Sequence, residues 1–123
     1  MAAGIYNFTI EQGATFTRTL KYKNSDGTPI SLAGHAVRMQ LRTSISSTTK
    51  IIDLTETQGT NDSVITVGGD GNNEITIVIT AVDTAAMSFD TAVYDIEISD
   101  NQTPKVVTRI LQGKIKLSKE VTR

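Results

Sequence analysis

Between Thr91 and Ser99 the sequence TAVYDIEIS puts Tyr94, Ile96 and Ile98 on one side of an extended chain and Asp95, Glu97 and Ser99 on the other. A period of two is that of a half-buried β-strand. Asp100-Asn101-Gln102-Thr103-Pro104 supplies a turn, after which Val107, Leu111, Ile115 and Leu117 share one parity in a stretch ending near Ser118. The last third of the chain therefore predicts a long β-hairpin that runs up to the final residue and leaves no room for a catalytic appendage.

Composition extends that reading to the whole chain. Thr, Ile and Val dominate, and β-branched side chains suit a pleated, half-buried surface. With 123 residues the chain makes one domain, burying roughly two-thirds of the surface its unfolded form exposes. Cysteine is absent, which excludes disulfides, thiolate zinc sites and a cysteine nucleophile. Twelve Lys and Arg against thirteen Asp and Glu are scattered, not gathered into a stripe, so nucleic acid is not an expected partner. No segment reaches the ~20 apolar residues that span a bilayer, and MAAGIYNFTIEQG lacks the basic and apolar regions of a signal peptide.

Along the chain, Tyr6, Phe8 and Ile10 mark a first strand that stops at Glu11-Gln12-Gly13. From Ala14 to Lys23, Phe16, Leu20 and Tyr22 share a parity on which Arg18 is the odd member, and Asn24-Ser25-Asp26-Gly27-Thr28-Pro29 is a turn. Val37, Met39 and Leu41 alternate with Arg38, Gln40 and Arg42, giving a strand with a basic, polar outer face. Ser44 to Thr49 is a loop of small residues, followed by strands at Ile52 to Leu54, Val64 to Val67 and Ile75 to Ile79. Thr80-Ala81-Val82-Asp83 fits a capping box and predicts one helix of about two turns, near residues 81–87, with Ala81, Val82, Ala85, Ala86 and Met87 on its apolar face. About eight strands with turn signals every ten residues or so predict an all-β fold: a two-sheet antiparallel β-sandwich, Ig-like or jelly-roll-like, in a single domain of residues 1–123.

No motif carries catalytic chemistry. His35 is the only histidine and its neighbours supply neither a triad nor a metal set, so it reads as a turn or surface residue. Gly68-Gly69-Asp70-Gly71-Asn72-Asn73 partly matches a calcium-binding turn of β-helical repeats, but it occurs once, with one acid, and reads as a hairpin turn. Three Asn-x-Ser/Thr tripeptides, at Asn7, Asn61 and Asn101, read as coincidence without a signal peptide. The six aromatics include no Trp, and Tyr6, Tyr22 and Tyr94 lie on apolar parities, which favours core packing over a sugar platform. Arg18 and Arg109 fall on inward parities, where an Arg demands a paired acid or an exposed edge and is also a frequent interface anchor.

Taken together, several stretches resemble a known family. Phe8-Thr9-Ile10-Glu11-Gln12-Gly13 with Phe16, Asp26-Gly27-Thr28-Pro29-Ile30-Ser31-Leu32-Ala33-Gly34, and Arg38-Met39-Gln40-Leu41-Arg42 are followed by Thr80-Ala81-Val82-Asp83-Thr84-Ala85, Tyr94-Asp95-Ile96-Glu97-Ile98 and Arg109-Ile110-Leu111-Gln112-Gly113. With Glu120-Val121-Thr122-Arg123 they span essentially the whole chain. The sequence resembles small β-sandwich virion structural proteins of tailed bacteriophages and is similar to the N-terminal domain of phage baseplate upper proteins. That resemblance implies assembly and not catalysis: a protein made in the host cytoplasm that joins the virion at the tail, baseplate or neck. Longer members carry a second module for receptor binding or adaptor duty, so a chain ending at Arg123 is expected to dock or connect.

The expected partners are other virion proteins and copies of itself in a ring, with no nucleic acid, membrane or small-molecule substrate, and no cofactor, metal or catalytic residue is expected. Candidate interface residues are Ile5, Tyr6, Arg18, Arg109, Val121 and Arg123, within possible terminal arms at residues 1–6 and 119–123 and with Ser44 to Thr49 as the next candidate. A capsid decoration protein is the alternative within the same particle. A carbohydrate-binding module would need a row of exposed aromatics, and a depolymerase or esterase would need clustered acids or a Ser-His pair.

Overall fold

The alternating stretches become strands in the computed structural model, which describes residues 4–57, 59, 61–69, 71–100 and 104–121. In chain order they are β1 (Gly4–Ile5), β2 (Phe8–Glu11), β3 (Phe16–Lys21), β4 (Ala36–Arg42), β5 (Ile52–Leu54), β6 (Val64–Gly68), β7 (Glu74–Ile79), α1 (Ala81–Ala85), β8 (Thr91–Ser99) and β9 (Val107–Ser118). The larger sheet runs β1-β9-β8-β4-β5, with β2 also on β9, and the smaller runs β3-β7-β6. Three consecutive strands, β3, β4 and β5, are thus split between the sheets, as are β7 and β8, which makes the fold a two-sheet sandwich. Strands β3, β7 and β6 correspond to B, E and D of an immunoglobulin domain, and β9, β8 and β4 to G, F and C with β5 added beyond C. The Ig-like reading holds and the jelly-roll one does not.

The expected count of about eight strands agrees with the nine among the described residues, a short β1 preceding β2. One expectation needs correction: the sheets are not wholly antiparallel, since β1 and β2 both run parallel to β9. Period-two patterning reports which face a residue occupies and carries no information on the direction of the neighbour. The N-terminal segment from Gly4 onward is consequently a sheet strand and not a free arm.

The core lies between the sheets, where Ile10, Leu41, Ile65, Ile77, Ile79, Ile96 and Ile115 have no exposed surface. With no cysteine to tie the sheets together, aromatic rings do so. Phe8 of the larger sheet packs 4.9 Å from Tyr94 and 5.7 Å, edge-on, from Phe16 of the smaller. Burial lifts the Tyr94 hydroxyl far above the ordinary tyrosine range, with Tyr6 adding to the effect. That hydroxyl donates to the Tyr6 carbonyl, where the chain passes from β1 to β2.

The helix starts where the sequence places it, but at Ala81–Ala85 it is shorter than the two turns expected and is held by different contacts. Thr80 is its N-cap, yet the Thr80 hydroxyl donates to the Asn61 carbonyl at 2.7 Å, so the capping box does not form. Asp83 instead accepts from Ser63 Oγ and from Asn61 Nδ2. Tertiary partners at residues 61–63 outcompete the local cap. Val82, Ala85 and Ala86 are exposed and the buried residue within the helix is Thr84, followed by Met87. The Thr84 hydroxyl donates to the Ala14 carbonyl at 2.8 Å and accepts from the Gly13 amide at 3.1 Å. Replacing Thr84 with valine keeps the shape and strands both backbone groups, so it is expected to cost about 1–3 kcal/mol in urea unfolding, while Thr84→Ser costs less.

Candidate interaction surfaces

The outward residues of β4, β8 and β9 form a shallow basin of about 560 Å³ on the larger sheet. Its centre is a lattice of ion pairs and amides. Arg38 donates from Nε and Nη2 to Glu97 Oε1 at 3.0 and 2.9 Å. Arg109 lies 3.4 Å from Asp95 and donates to Gln112 at 3.2 Å, and Arg42 donates to Gln40 and to the Ser47 carbonyl. Partial burial, with Glu97 beside it, raises the Asp95 carboxyl above the usual carboxylate range against the pull of Arg109, Arg38 and Arg42. With Lys114, four cations face two carboxylates here. Ile5 lines one part of the basin and Ile45 another, and their exposures are 76% and 90%.

A second depression of about 360 Å³ opens where the two sheets part company. Strand β3 is the edge of the smaller sheet, and on β9 the pairing with β1 begins only at Leu111. A bulge on β9 shapes this seam: Ile96 pairs with Leu111 but Glu97 pairs with Arg109, leaving Ile110 as the extra residue. Ile110 and Leu111 both pack toward the core, and Arg109 is moved to the outer face. The inward Arg109 expected from simple parity is therefore corrected, and the acid it demanded is Asp95. Arg18 stays inward at an exposed edge. Its Nη1 donates to the Tyr6 hydroxyl at 2.6 Å, and its guanidinium lies 5.3 to 5.8 Å from the rings of Phe8, Phe16 and Tyr6.

Of the six candidate interface residues, the structure brings Ile5 and Arg109 together in the outer basin and Tyr6 and Arg18 together at the seam. Val121 is 92% exposed beyond β9 and lines neither depression, and Arg123 lies outside the described residues. So do residues 1–3 of the N-terminal arm, Thr122 of the C-terminal one, Asp70, and the Asn101-Gln102-Thr103 part of the last turn. The outer-face partners Arg38, Asp95, Glu97 and Lys114 were not singled out, although the alternation of Arg38, Gln40 and Arg42 had marked their face. Their signal was lost because outward charges on a strand are the ordinary pattern of a solvated surface. Ile45 falls in the predicted loop contact.

The remaining motifs have structural places. His35 is half-buried, its Nδ1 3.3 Å from the Ala33 carbonyl, and among the described residues no group of three His, Asp or Glu could hold a metal ion. The glycine-rich stretch joins the antiparallel pair β6 and β7. Asn72 there is left-handed, with φ 52°, and Asn73 is buried with its amide donating to the Tyr22 carbonyl. Phe8, Phe16 and Tyr94 are buried and Tyr22 and Phe89 half-buried, so Tyr6 is the one exposed aromatic residue and no row of them faces solvent.

No protein-family model matches the sequence, and neither does any curated protein. Among solved structures, the chain is similar to one in the complex of Dpr2 Ig1-Ig2 with DIP-Theta Ig1-Ig3, at 15% identity and a TM-score of 0.50. The match covers 94% of this chain and spans 44% of that one. At that identity the likeness bears on the fold, which it places with immunoglobulin domains.

Proposed function

We propose that the chain is a structural component of a tailed-bacteriophage virion, in the tail, baseplate or neck, that acts by binding other virion proteins and copies of itself. The observation supporting protein contact is the outer basin of the larger sheet. Exposed ion pairs contribute little to folding, about 0–1 kcal/mol each, so the Arg38–Glu97 and Arg109–Asp95 pairs do not account for themselves as stabilising devices. Arginines held in fixed geometry beside exposed aliphatic side chains are, however, the composition of protein interfaces. Here Ile5 and Ile45 supply the aliphatic part. Symmetric assemblies use one patch many times, so modest contacts per copy suffice. The virion setting is supported by the motif resemblance from Phe8-Thr9-Ile10 to Arg109-Ile110-Leu111.

Reversing both charges with Arg38→Glu and Arg109→Glu tests this reading. The side chains are more than half exposed, so the variant is expected to stay folded, with unfolding free energy within about 2 kcal/mol of the parent for the two pairs. Its incorporation into particles is expected to fall at least tenfold by quantitative mass spectrometry. Incorporation at the parent level would remove the basin from the account.

A further inference from the structure

We propose that the seam between β3 and β9 is a slot for an extended, acid-bearing β-strand donated by another protein. This surface is separate from the outer basin, and its occupant follows from backbone geometry and charge. Among the described residues strand β3 pairs only with β7, so one row of its N–H and C=O groups faces away from the sheet. Among the same residues, Val107 to Arg109 on β9 have β8 on one side and no strand on the other, because the parallel pairing with β1 begins at Leu111. An extended chain lying along either strand satisfies those groups with its own backbone.

The space between the two edges is apolar. Leu20, Tyr22, Ile110 and Leu111 are half-buried around it, and Ile75 and Ile96 lie beneath. Its volume of about 360 Å³ lies within the ~300–1,000 Å³ of ligand pockets. Alternate side chains of a donated strand point into such a space, which calls for aliphatic residues at every second position.

Charge decides what occupies the other positions. Arg18 and Lys21 are the charged residues lining the slot, and among the described residues neither makes an ion pair. Lys21 lies on the exposed side of β3, so a carboxylate at an outward position of the incoming strand answers it and a basic strand is repelled there. The inward Arg18 discourages indiscriminate edge pairing. Strands β1 and β2 are already paired to β9 of their own chain, so the donated strand comes from another protein.

The test uses the full chain and a blocked heptapeptide of alternating Val and Asp flanked by Thr, with a control in which Lys replaces Asp. Two-dimensional NMR and amide hydrogen exchange read the outcome. The acidic peptide is expected to bind saturably, to shift resonances of β3 and of Val107 to Leu111, and to raise protection of the outward β3 amides at least tenfold. The Lys peptide is expected to bind at least tenfold more weakly, and Lys21→Glu to weaken the acidic peptide about fivefold, as for a rim ion pair. Equal binding of the two peptides, shifts mapping to the outer basin, or no binding at millimolar peptide would overturn the proposal. So would an Arg18→Leu variant that self-associates through β3 while the parent ignores the acidic peptide, since Arg18 would then be an edge guard alone.

Discussion

Replacing Gly113 with alanine is expected to destabilise the protein by about 3 kcal/mol, although the change adds one methyl group in the middle of a strand. A Cβ at Gly113 would stand 2.0 Å from the Tyr6 carbonyl oxygen and 2.8 Å from its carbon, both backbone atoms that no rotamer change can move. The conflict falls where β1 gives way to β2 alongside β9. Three hydrogen bonds fix that passage: the Tyr6 amide donates to Gln112 at 3.0 Å, the Lys114 amide donates to Asn7 Oδ1 at 2.9 Å, and the Tyr94 hydroxyl donates to Tyr6. Displacing the passage loses bonds worth about 1 kcal/mol each, comparable with the ~1–3 kcal/mol of an overpacked site. Gly68→Ala is the control. No atom lies within 4 Å of a Cβ there, so the substitution is expected to be neutral or to stabilise by up to about 1 kcal/mol. Urea unfolding of the two variants reads the difference.

Phe8→Ala is expected to cost about 3–5 kcal/mol in the same measurement, a large share of the ~5–15 kcal/mol that holds a typical domain folded. Phe8 is 4% exposed and touches the rings of Tyr6, Phe16 and Tyr94, with centroids 4.8, 5.7 and 4.9 Å away. It joins the N-terminal strand to both sheets in a chain with no cysteine to help. The cavity left by alanine cannot collapse easily, because β2 is tied to β9 from Phe8 to Glu11. Phe8→Leu is expected to lose less, about 1–2 kcal/mol, since most of the apolar volume remains.

The sandwich was legible because a half-buried strand writes its two faces into alternate residues. Tyr94, Ile96 and Ile98 point inward as the alternation requires, and so do Ile75, Ile77 and Ile79. What escaped are features that alternation does not encode. The bulge at Ile110 shifts the parity of β9 midway, leaving Val107 exposed and sending Arg109 outward to Asp95. Nothing in Arg109-Ile110-Leu111 marks it, since no glycine is needed at the extra residue. The parallel pairing of β1 and β2 with β9 is a long-range feature that alternation does not report, since Phe8 and Ile10 would face the core with a neighbour running either way. The capping box at Thr80 was a local rule overridden by Asn61 and Ser63, which lie close in space and far in sequence.

The candidate surfaces were legible in part. Ile5 was marked through its place in a terminal segment, and Arg18 as the odd member of an apolar row. The outer basin needed the strand order, because Arg38, Asp95 and Arg109 belong to three segments that only the β4-β8-β9 arrangement sets side by side. The seam needed it as well. It exists because β3 has one neighbour among the described residues, a fact about pairing and not about any residue of β3.

The most direct test of the proposed role is cryo-electron microscopy of intact particles released by the culture that encodes the chain. Ordered copies arranged around the tail axis are the predicted result, with density against the outer face of the larger sheet at Arg38 and Arg109. Copies on the shell would instead make it a capsid decoration protein, and complete absence from purified particles would contradict the virion role.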